Sequence, residues 1–413
     1  MTERKVIVVG GGASGLMAAG RAAACGAHVI LLEKMATPAR KIRITGKGRC
    51  NLSNSAELSD FIAHFGPSGR FLRQAFGTFF STELISFFEA RGLQVGFERG
   101  GRIFPLEGDA PAVARILVDW VQEVGVQMQT SAPVTNLLVK NDKVVGVISK
   151  AKKIYADCVI LASGGRSYPR TGSTGDGYQL AESVGHTLAP IKPALVSLKT
   201  DHQAVRGLAG LNLKNVKVRL FIEGKRKQQE FGELGFTGQA LTGPTILTLS
   251  PTAVDALRAG EKVIVSLDLK PALDDKKLDA RLLRDINKRV REPMSSVLRG
   301  LLPRELVAVC LGNTAIDPDL EAGQLSAGER TKLRLWLKDF RFDITGHGSW
   351  NEAIITSGGV RTAEIDPKTM QSRLVAGLYI VGELLDIQAD TGGYNLQAAF
   401  STGWVAGQAV MAS

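Results

Sequence analysis

Lys5-Val6-Ile7-Val8-Val9-Gly10-Gly11-Gly12-Ala13-Ser14-Gly15 opens this 413-residue chain, and its reading decides the fold. An apolar run enters a G-x-G-x-x-G turn, an Ala-rich segment from Leu16 to Cys25 follows, and a second apolar run, His28 to Leu32, ends in Glu33. This is the fingerprint of a βαβ dinucleotide unit. Gly10 allows the tight turn, Gly12 lets the backbone approach a pyrophosphate, and Gly15 lets helix and strand pack closely. The helix amino end, at Ala13 and Ser14, then offers unpaired N–H groups and a partial positive charge to the diphosphate. Glu33 stands where an acid accepts both ribose hydroxyls, with Lys34 beside it.

The far end of the chain repeats the theme. Gly377-Leu378-Tyr379-Ile380-Val381-Gly382-Glu383 is again an apolar strand running into glycine and an acid, and Thr391-Gly392-Gly393-Tyr394-Asn395-Leu396-Gln397 opens another small-residue helix. A plain NAD domain does not need this second half. A flavin does, because its ribityl chain and ring must be held as well as its ADP.

Between the two ends, Arg40 to Asn54 reads as a polar, Gly-rich loop, and Ser68 to Arg91 as one or two helices whose Phe stripe is core packing. Ala110 to Val124 is an amphipathic helix, Val126 to Thr130 a strand, and Val134 to Ile148 a β-hairpin. Asp157 to Ala162 is a buried strand of parallel type, ending at Ser163-Gly164-Gly165. Pro190 and Pro193 mark a boundary, after which short alternating runs (Val216–Leu220, Val263–Leu267) suggest antiparallel β structure. Helical periodicity dominates from about Leu278 to Phe340.

The expected fold is therefore α/β. A discontinuous Rossmann-like domain over 1–190 and 353–413 carries an inserted domain over 191–352, barrel-like and β-rich first, then helical.

Hydrophobic residues make up 44% and charged residues 22%, as in an ordinary globular protein. The apolar stretch from Val6 to Leu32 is broken by glycines, Ser14 and Arg21, so neither a signal peptide nor a membrane span is expected. Cys25, Cys50, Cys158 and Cys310 form no C-x-x-C pair, which excludes a disulfide framework and a cysteine-pair zinc site and suits a reduced cytoplasmic compartment. The five histidines lack metal-like spacing, and no nucleophile elbow supports a hydrolase. The net charge is +11. Its densest run, Lys276 to Arg291, is interleaved with acids and free of the aromatics that a nucleic-acid groove uses for stacking, so it reads as a solvated helix face.

Three further blocks resemble the BaiN-type family of NAD(P)/FAD-dependent oxidoreductases, the YhiN-like flavoproteins. They are Arg40 to Asn51, Val159 to Gly177, and Gly382 to Asp386 taken with Thr391 to Ala399. The resemblance implies noncovalent FAD. In the first block it implies that Arg40, Lys41, Thr45, Gly46, Gly48, Arg49, Cys50 and Asn51 face the cofactor, although Lys47 stands where the family has a glycine. Arg49 can activate the Cys50 thiol, or Cys50 is a passive small residue. Val134 falls where related flavoproteins place a backbone contact to adenine. Ala162, Ser163 and Gly164 let a strand end approach the cofactor. Gly382, Glu383 and Asp386 hold the ribityl and phosphate region, while Gly393, Asn395 and Leu396 bring a helix amino end to the ring.

The function implied is hydride transfer between NAD(P)H and an unsaturated small organic substrate. With no second dinucleotide fold, NAD(P)H would bind transiently. Tyr168 is a candidate proton donor and Arg170 a candidate for polarising the substrate, or their loop merely covers the ring. A flavin-containing RNA-binding or RNA-modifying protein, which the positive charge permits, is the alternative. A flavin-bound regulator without turnover is a third reading. The sequence names neither the substrate nor the oligomeric state.

Overall fold

The computed structural model describes residues 4–412. The chain forms two compact units. One comprises the residues up to Pro193 together with those from Trp350 onward, and the other is Ala194–Ser349.

The first unit is built on a five-stranded parallel sheet. Strand β1 (Lys5–Val9) lies at its centre, helix α1 (Ala13–Ala24) crosses over, and β2 (His28–Leu32) pairs beside β1, followed by Gln127–Gln129. On the other side of β1 lie Cys158–Leu161 and then Leu378–Ile380. Val6 to Val9 are all buried, as are Cys158 to Leu161 and Leu378 to Ile380. Continuous apolar runs of this kind suit strands covered on both faces. Because the strands are parallel, Gly10, Ala162 and Gly382 all leave the sheet at one edge. The strand order reverses between β1 and Cys158–Leu161, and such switch points are where open α/β sheets bind nucleotides.

The C-terminal helix Tyr394–Ala409 packs directly on α1. A Cβ at Gly403 would lie 2.3 Å from the Ser14 carbonyl oxygen, and one at Gly407 2.4 Å from that of Ala18, so the two backbones nearly touch. Helices Gly69–Thr78 and Ser81–Glu89 bring the expected Phe stripe into the same core. Phe61 meets Tyr394 edge-on at 4.8 Å between ring centroids, and Phe79 stacks on Trp404 at 4.3 Å.

Several local expectations need correction. The segment 40–54 is not simply a loop: Arg40–Ile44 is helical, Thr45–Gly48 is a tight turn, and Ser53–Asn54 pairs as a short strand. Only Ile42 of that helix is buried, which is why no periodicity signals it. The hairpin Val134–Lys140 and Lys143–Ser149 gains a third strand, Lys152–Tyr155. The first unit's N-terminal part does end at Pro193, but Pro190 and Pro193 lie within the strand Leu188–Ala194 and not in a linker. That strand pairs with Ile355–Val360 in a two-stranded sheet, whose strands are both edges and so accept proline.

The second unit holds a seven-stranded antiparallel sheet that includes Asn212–Ile222, Lys225–Phe236, Val263–Asp268 and Phe340–Ile344. Helices Asp275–Lys288, Arg304–Thr314 and Ala327–Lys338 lie between its strands Val263–Asp268 and Phe340–Ile344 in the chain. The basic helix Asp275–Lys288 buries Leu278, Leu282 and Ile286. Arg281 pairs with Asp285 within the helix at 2.6 Å, while Asp279 and Asp275 take Arg330 (2.9 Å) and Arg334 from helix Ala327–Lys338. Among the described residues no helix is long and apolar enough to cross a membrane.

Candidate active site

The glycine turn after β1 is fixed by sterics. Gly10 has φ +105°, and a Cβ at Gly15 would lie 1.8 Å from the Gly10 carbonyl oxygen, so a side chain fits at neither position. A Cβ at Gly12 would meet nothing within 4 Å, which leaves room for a ligand against the backbone. Gly12 is also the N-cap of α1 and supplies no side-chain acceptor, so the helix N–H groups around Ala13 and Ser14 look to an incoming anion.

Glu33 is buried, and its carboxylate accepts hydrogen bonds from Gly11 N and Met35 N, each at 2.7 Å. It therefore braces the glycine turn and holds its own strand end while one lone pair of each oxygen stays available for ribose hydroxyls. Ala132 N donates to the Glu33 carbonyl at 2.8 Å, which carries the chain past Glu33 into Val134. Lys34 is drawn to the other side of the edge, where its Nζ donates to Thr174 Oγ1 at 2.6 Å and to both Asp176 oxygens at 2.8 Å.

The four cations expected near the diphosphate separate. Lys41 Nζ lies 2.6 Å from Glu383 Oε2 and also donates to Ser167 Oγ. Arg49 pairs instead with Glu98 and lies over the Phe104 ring at 4.4 Å, while Arg40 and Lys47 are exposed. Gly46 and Lys47 both adopt left-handed backbone angles, so the departure from glycine at Lys47 leaves the turn intact at some conformational cost. Thr45 accepts Cys50 N at 3.1 Å through its carbonyl, closing the turn around Gly46 and Gly48.

Cys50 is fully buried, and desolvation pushes its thiol up to about 12. Arg49 is turned to Glu98, and burial is what sets the Cys50 thiol. Asn51 ties this loop to the C-terminal helix. Its side-chain oxygen accepts Gly393 N at 3.0 Å while its amide donates to the Ser53 carbonyl at 3.0 Å.

Glu383 is the hub of the second half. Besides Lys41 it accepts Ser167 Oγ at 2.8 Å and Thr356 N at 2.7 Å, and its carbonyl accepts the Tyr178 hydroxyl at 3.3 Å. Burial, then the nearby Glu383 charge, pushes the Tyr178 phenol far up, so it stays protonated. Ser167, Thr356 and Tyr178 were not singled out by sequence reasoning. The small-residue strand Ile355-Thr356-Ser357-Gly358-Gly359-Val360, buried throughout, is the signal that would have pointed to Thr356.

Ser163, at the end of Cys158–Leu161, has a buried Oγ without a partner, next to Ala162 and Gly164. Burial raises the Asp386 carboxyl, with Arg361 and Lys192 opposing that shift. Asn395 clasps the turn before the C-terminal helix, since its amide donates to Ala389 O at 2.9 Å and its oxygen accepts Ala389 N at 2.8 Å. Gly393 caps that helix without a side chain, leaving its first N–H groups, around Asn395 and Leu396, at the same sheet edge. Open space at Gly12, two uncapped helix starts and the unpartnered Ser163 hydroxyl fit FAD, whose phosphates and ring polar atoms would use them.

Tyr168 and Arg170 follow the Ala162–Gly164 strand end. Tyr168 is half-buried at φ +52°, and Arg170 is exposed. The histidines go elsewhere. His186 is buried between Glu364 (2.8 Å) and Ser372 (2.9 Å), and His64 pairs with Asp390 at 3.0 Å while stacking on Tyr394. Among the described residues no group of His, Cys, Asp and Glu is arranged to hold a metal. A pocket of about 470 Å³ in the second unit is lined by Arg219 and Lys338, but both are committed to the buried Asp268 at 3.3 and 2.6 Å.

Fold and site together define a flavoprotein oxidoreductase. Solved structures of similar fold include 3-ketosteroid delta1-dehydrogenase from Sterolibacterium denitrificans (TM-score 0.57, 14% identity, all of both chains) and a flavocytochrome c3 fumarate reductase (TM-score 0.54, 18% identity, 99% of this chain and 78% of that one). The model of the HI0933-like protein Rossmann domain family matches residues 4–409, and the chain belongs to that family. It is an FAD-dependent oxidoreductase. Among curated relatives, a 3-dehydro-bile acid delta(4,6)-reductase of Clostridium scindens is 32% identical over 98% of each chain. A ribosomal RNA dihydrouridine synthase of Escherichia coli is 28% identical over 100% of this chain and 99% of its own.

Proposed function

We propose that this protein reduces a carbon–carbon double bond conjugated to a carbonyl in a small organic substrate, with NAD(P)H as a transient donor and noncovalently held FAD as the carrier. The observation that carries the reading is the convergence of three strand ends, at Gly10, Ala162 and Gly382, with the Tyr168–Arg170 loop leaving directly from the second. The names of both relatives describe the same kind of chemistry, reduction of a ring double bond, on otherwise unrelated molecules.

Bound FAD supplies hydride transfer in both directions. The chain's residues do the rest. The Lys41–Glu383–Ser167 network fixes the edge of the site, and the helix start at Gly393 stabilises negative charge there. Arg170 draws electron density onto the substrate carbonyl, and the Tyr168 hydroxyl gives its proton to the carbon next to that carbonyl. The test is transient kinetics on Arg170→Ala. Loss of one electrostatic contact slows reoxidation of the reduced holoenzyme by an enone about 10²-fold and leaves FAD content intact. A wild-type rate removes Arg170 from the reaction.

The RNA reading is favoured by the E. coli relative, which matches over its whole length. It requires a ribosomal RNA fragment to bind with an affinity that falls steeply with salt. Salt-independent or absent binding excludes it.

A further inference from the structure

The segment just beyond the Ala162–Gly164 strand end is held more firmly than an exposed loop requires. Arg166 N and Ser167 N both donate to Thr356 Oγ1, at 2.7 and 3.2 Å, Ser167 Oγ donates to Glu383, and Tyr168 N donates to the Trp350 carbonyl at 3.0 Å. The Tyr168 carbonyl accepts Thr171 N at 2.8 Å and Thr171 Oγ1 at 2.7 Å. These bonds hold Tyr168 at φ +52°, a left-handed conformation that is costly for an aromatic residue.

What this anchored segment displays is chemically specific. The Arg166 guanidinium lies over the Trp350 ring, 5.2 Å from its centroid. It is exposed, and no carboxylate among the described residues pairs with it. Lys34, Lys41 and Arg49 on the same unit are, by contrast, each paired with an acid, and exposed Arg40, Lys47 and Arg170 lie over no ring among the described residues. A guanidinium held over an indole and unclaimed by an acid keeps its N–H groups available, and a guanidinium can receive two oxygens of an anion. Trp350 and Tyr168, both half-buried and joined backbone to backbone, bring two aromatic side chains to this segment, and such side chains suit a planar ring.

The geometry points to Arg166 and Trp350 as specificity determinants: the substrate is a flat conjugated ring ketone bearing an anionic group, a carboxylate or phosphate, which Arg166 takes in its fork while the ring lies against Trp350. This rests on the reductase reading above and names the substrate class for it. Neither residue moves a proton or an electron; both position the ring.

Calorimetry on the FAD-loaded protein tests this with three unreactive probes: cyclohexanone carboxylate, cyclohexyl phosphate and neutral cyclohexanone. One anionic probe binds the wild type more tightly than cyclohexanone does, and the tighter of the two identifies the anion. Arg166→Ala weakens that probe about tenfold or more and leaves cyclohexanone unchanged, Arg166→Lys restores part of the loss, and Trp350→Ala weakens both. In turnover of cyclohexenone carboxylate the Arg166→Ala defect falls in KM, with kcat kept. No preference for either anion in the wild type, or equal losses for charged and neutral probes in Arg166→Ala, overturns the assignment. Selective anion binding that depends on Arg166, in a holoenzyme that cannot reduce cyclohexenone carboxylate, keeps the assignment and discards the reductase reading.

Discussion

Lys41 and Glu383 are 342 residues apart in sequence, and their side chains form a 2.6 Å ion pair at the edge of the parallel sheet. Both are mostly shielded, at 26% and 20% side-chain exposure, so solvent screens the pair only partly. The contact joins the N-terminal and C-terminal halves of the cofactor site. Lys41→Met and Glu383→Gln are each expected to weaken FAD binding by about 1–3 kcal/mol, the range for hydrogen bonds to charged groups. The double variant loses less than the sum, because the two act as one unit. Flavin retained after dialysis reads all three; strictly additive losses would mean the two residues serve FAD separately.

Glu33 is expected to matter twice, once for the glycine turn and once for ribose. Glu33→Ala removes the acceptor of Gly11 N and Met35 N and should weaken FAD binding by roughly 1.5–3 kcal/mol. Glu33→Gln keeps one acceptor and should fall between. Unchanged occupancy in both variants would move the ribose away from this residue.

The close approach of the C-terminal helix to α1 gives a purely steric prediction. In Gly403→Ala the new methyl would lie 2.3 Å from the Ser14 carbonyl oxygen, so the helices must separate. A loss of about 1–3 kcal/mol in urea unfolding is expected, as for overpacking elsewhere in protein cores. The same separation disturbs the start of α1 and should loosen FAD. A variant as stable as the parent would show that the helices can slide apart freely.

The cysteines set an alkaline limit. Burial pushes Cys50 and Cys310 up to about 12 from an ordinary value of 9.0. Above pH 9 the unfolded chain gives up these thiol protons while the folded chain keeps them, so the unfolded state binds fewer protons and stability falls with pH until the folded thiols titrate. Denaturant melts from pH 8 to pH 11 should show this fall, flattened in Cys50→Ala and Cys310→Ala proteins that stay folded. At pH 8 iodoacetamide should label half-buried Cys25 first and leave Cys50 untouched until the chain unfolds. Early labelling of Cys50 would restore it as a reactive residue.

The βαβ unit was legible because two apolar runs and three glycines act locally, Gly10 and Gly15 for steric reasons and Gly12 for the open backbone it leaves to a ligand. The same holds for helix Ala110–Glu123, where Asp109 caps Ala112 N and the apolar face repeats at helical spacing. For the candidate site the sequence offers positions and not contacts. Arg49 and Lys41 sit in one basic cluster in sequence, yet one meets Glu98 and the other Glu383, a division made by tertiary packing alone. Thr356 escaped notice for a related reason. The small-residue strand Ile355–Val360 marks a close approach without saying which side chain matters, and the role of Thr356 emerges only when Arg166 N, Ser167 N and Glu383 close around it. Strand Lys152–Tyr155 was missed because its exposed lysines lack the alternation that marks a half-buried strand.

Anaerobic stopped-flow spectroscopy on the FAD-loaded protein tests the central claim most directly. NADH or NADPH should bleach the yellow absorbance, and the colour should then return when cyclohexenone carboxylate is added in the absence of dioxygen, with the saturated ketone as product. A protein that stays bleached with every conjugated ketone yet recovers its colour on admitting air would contradict the account.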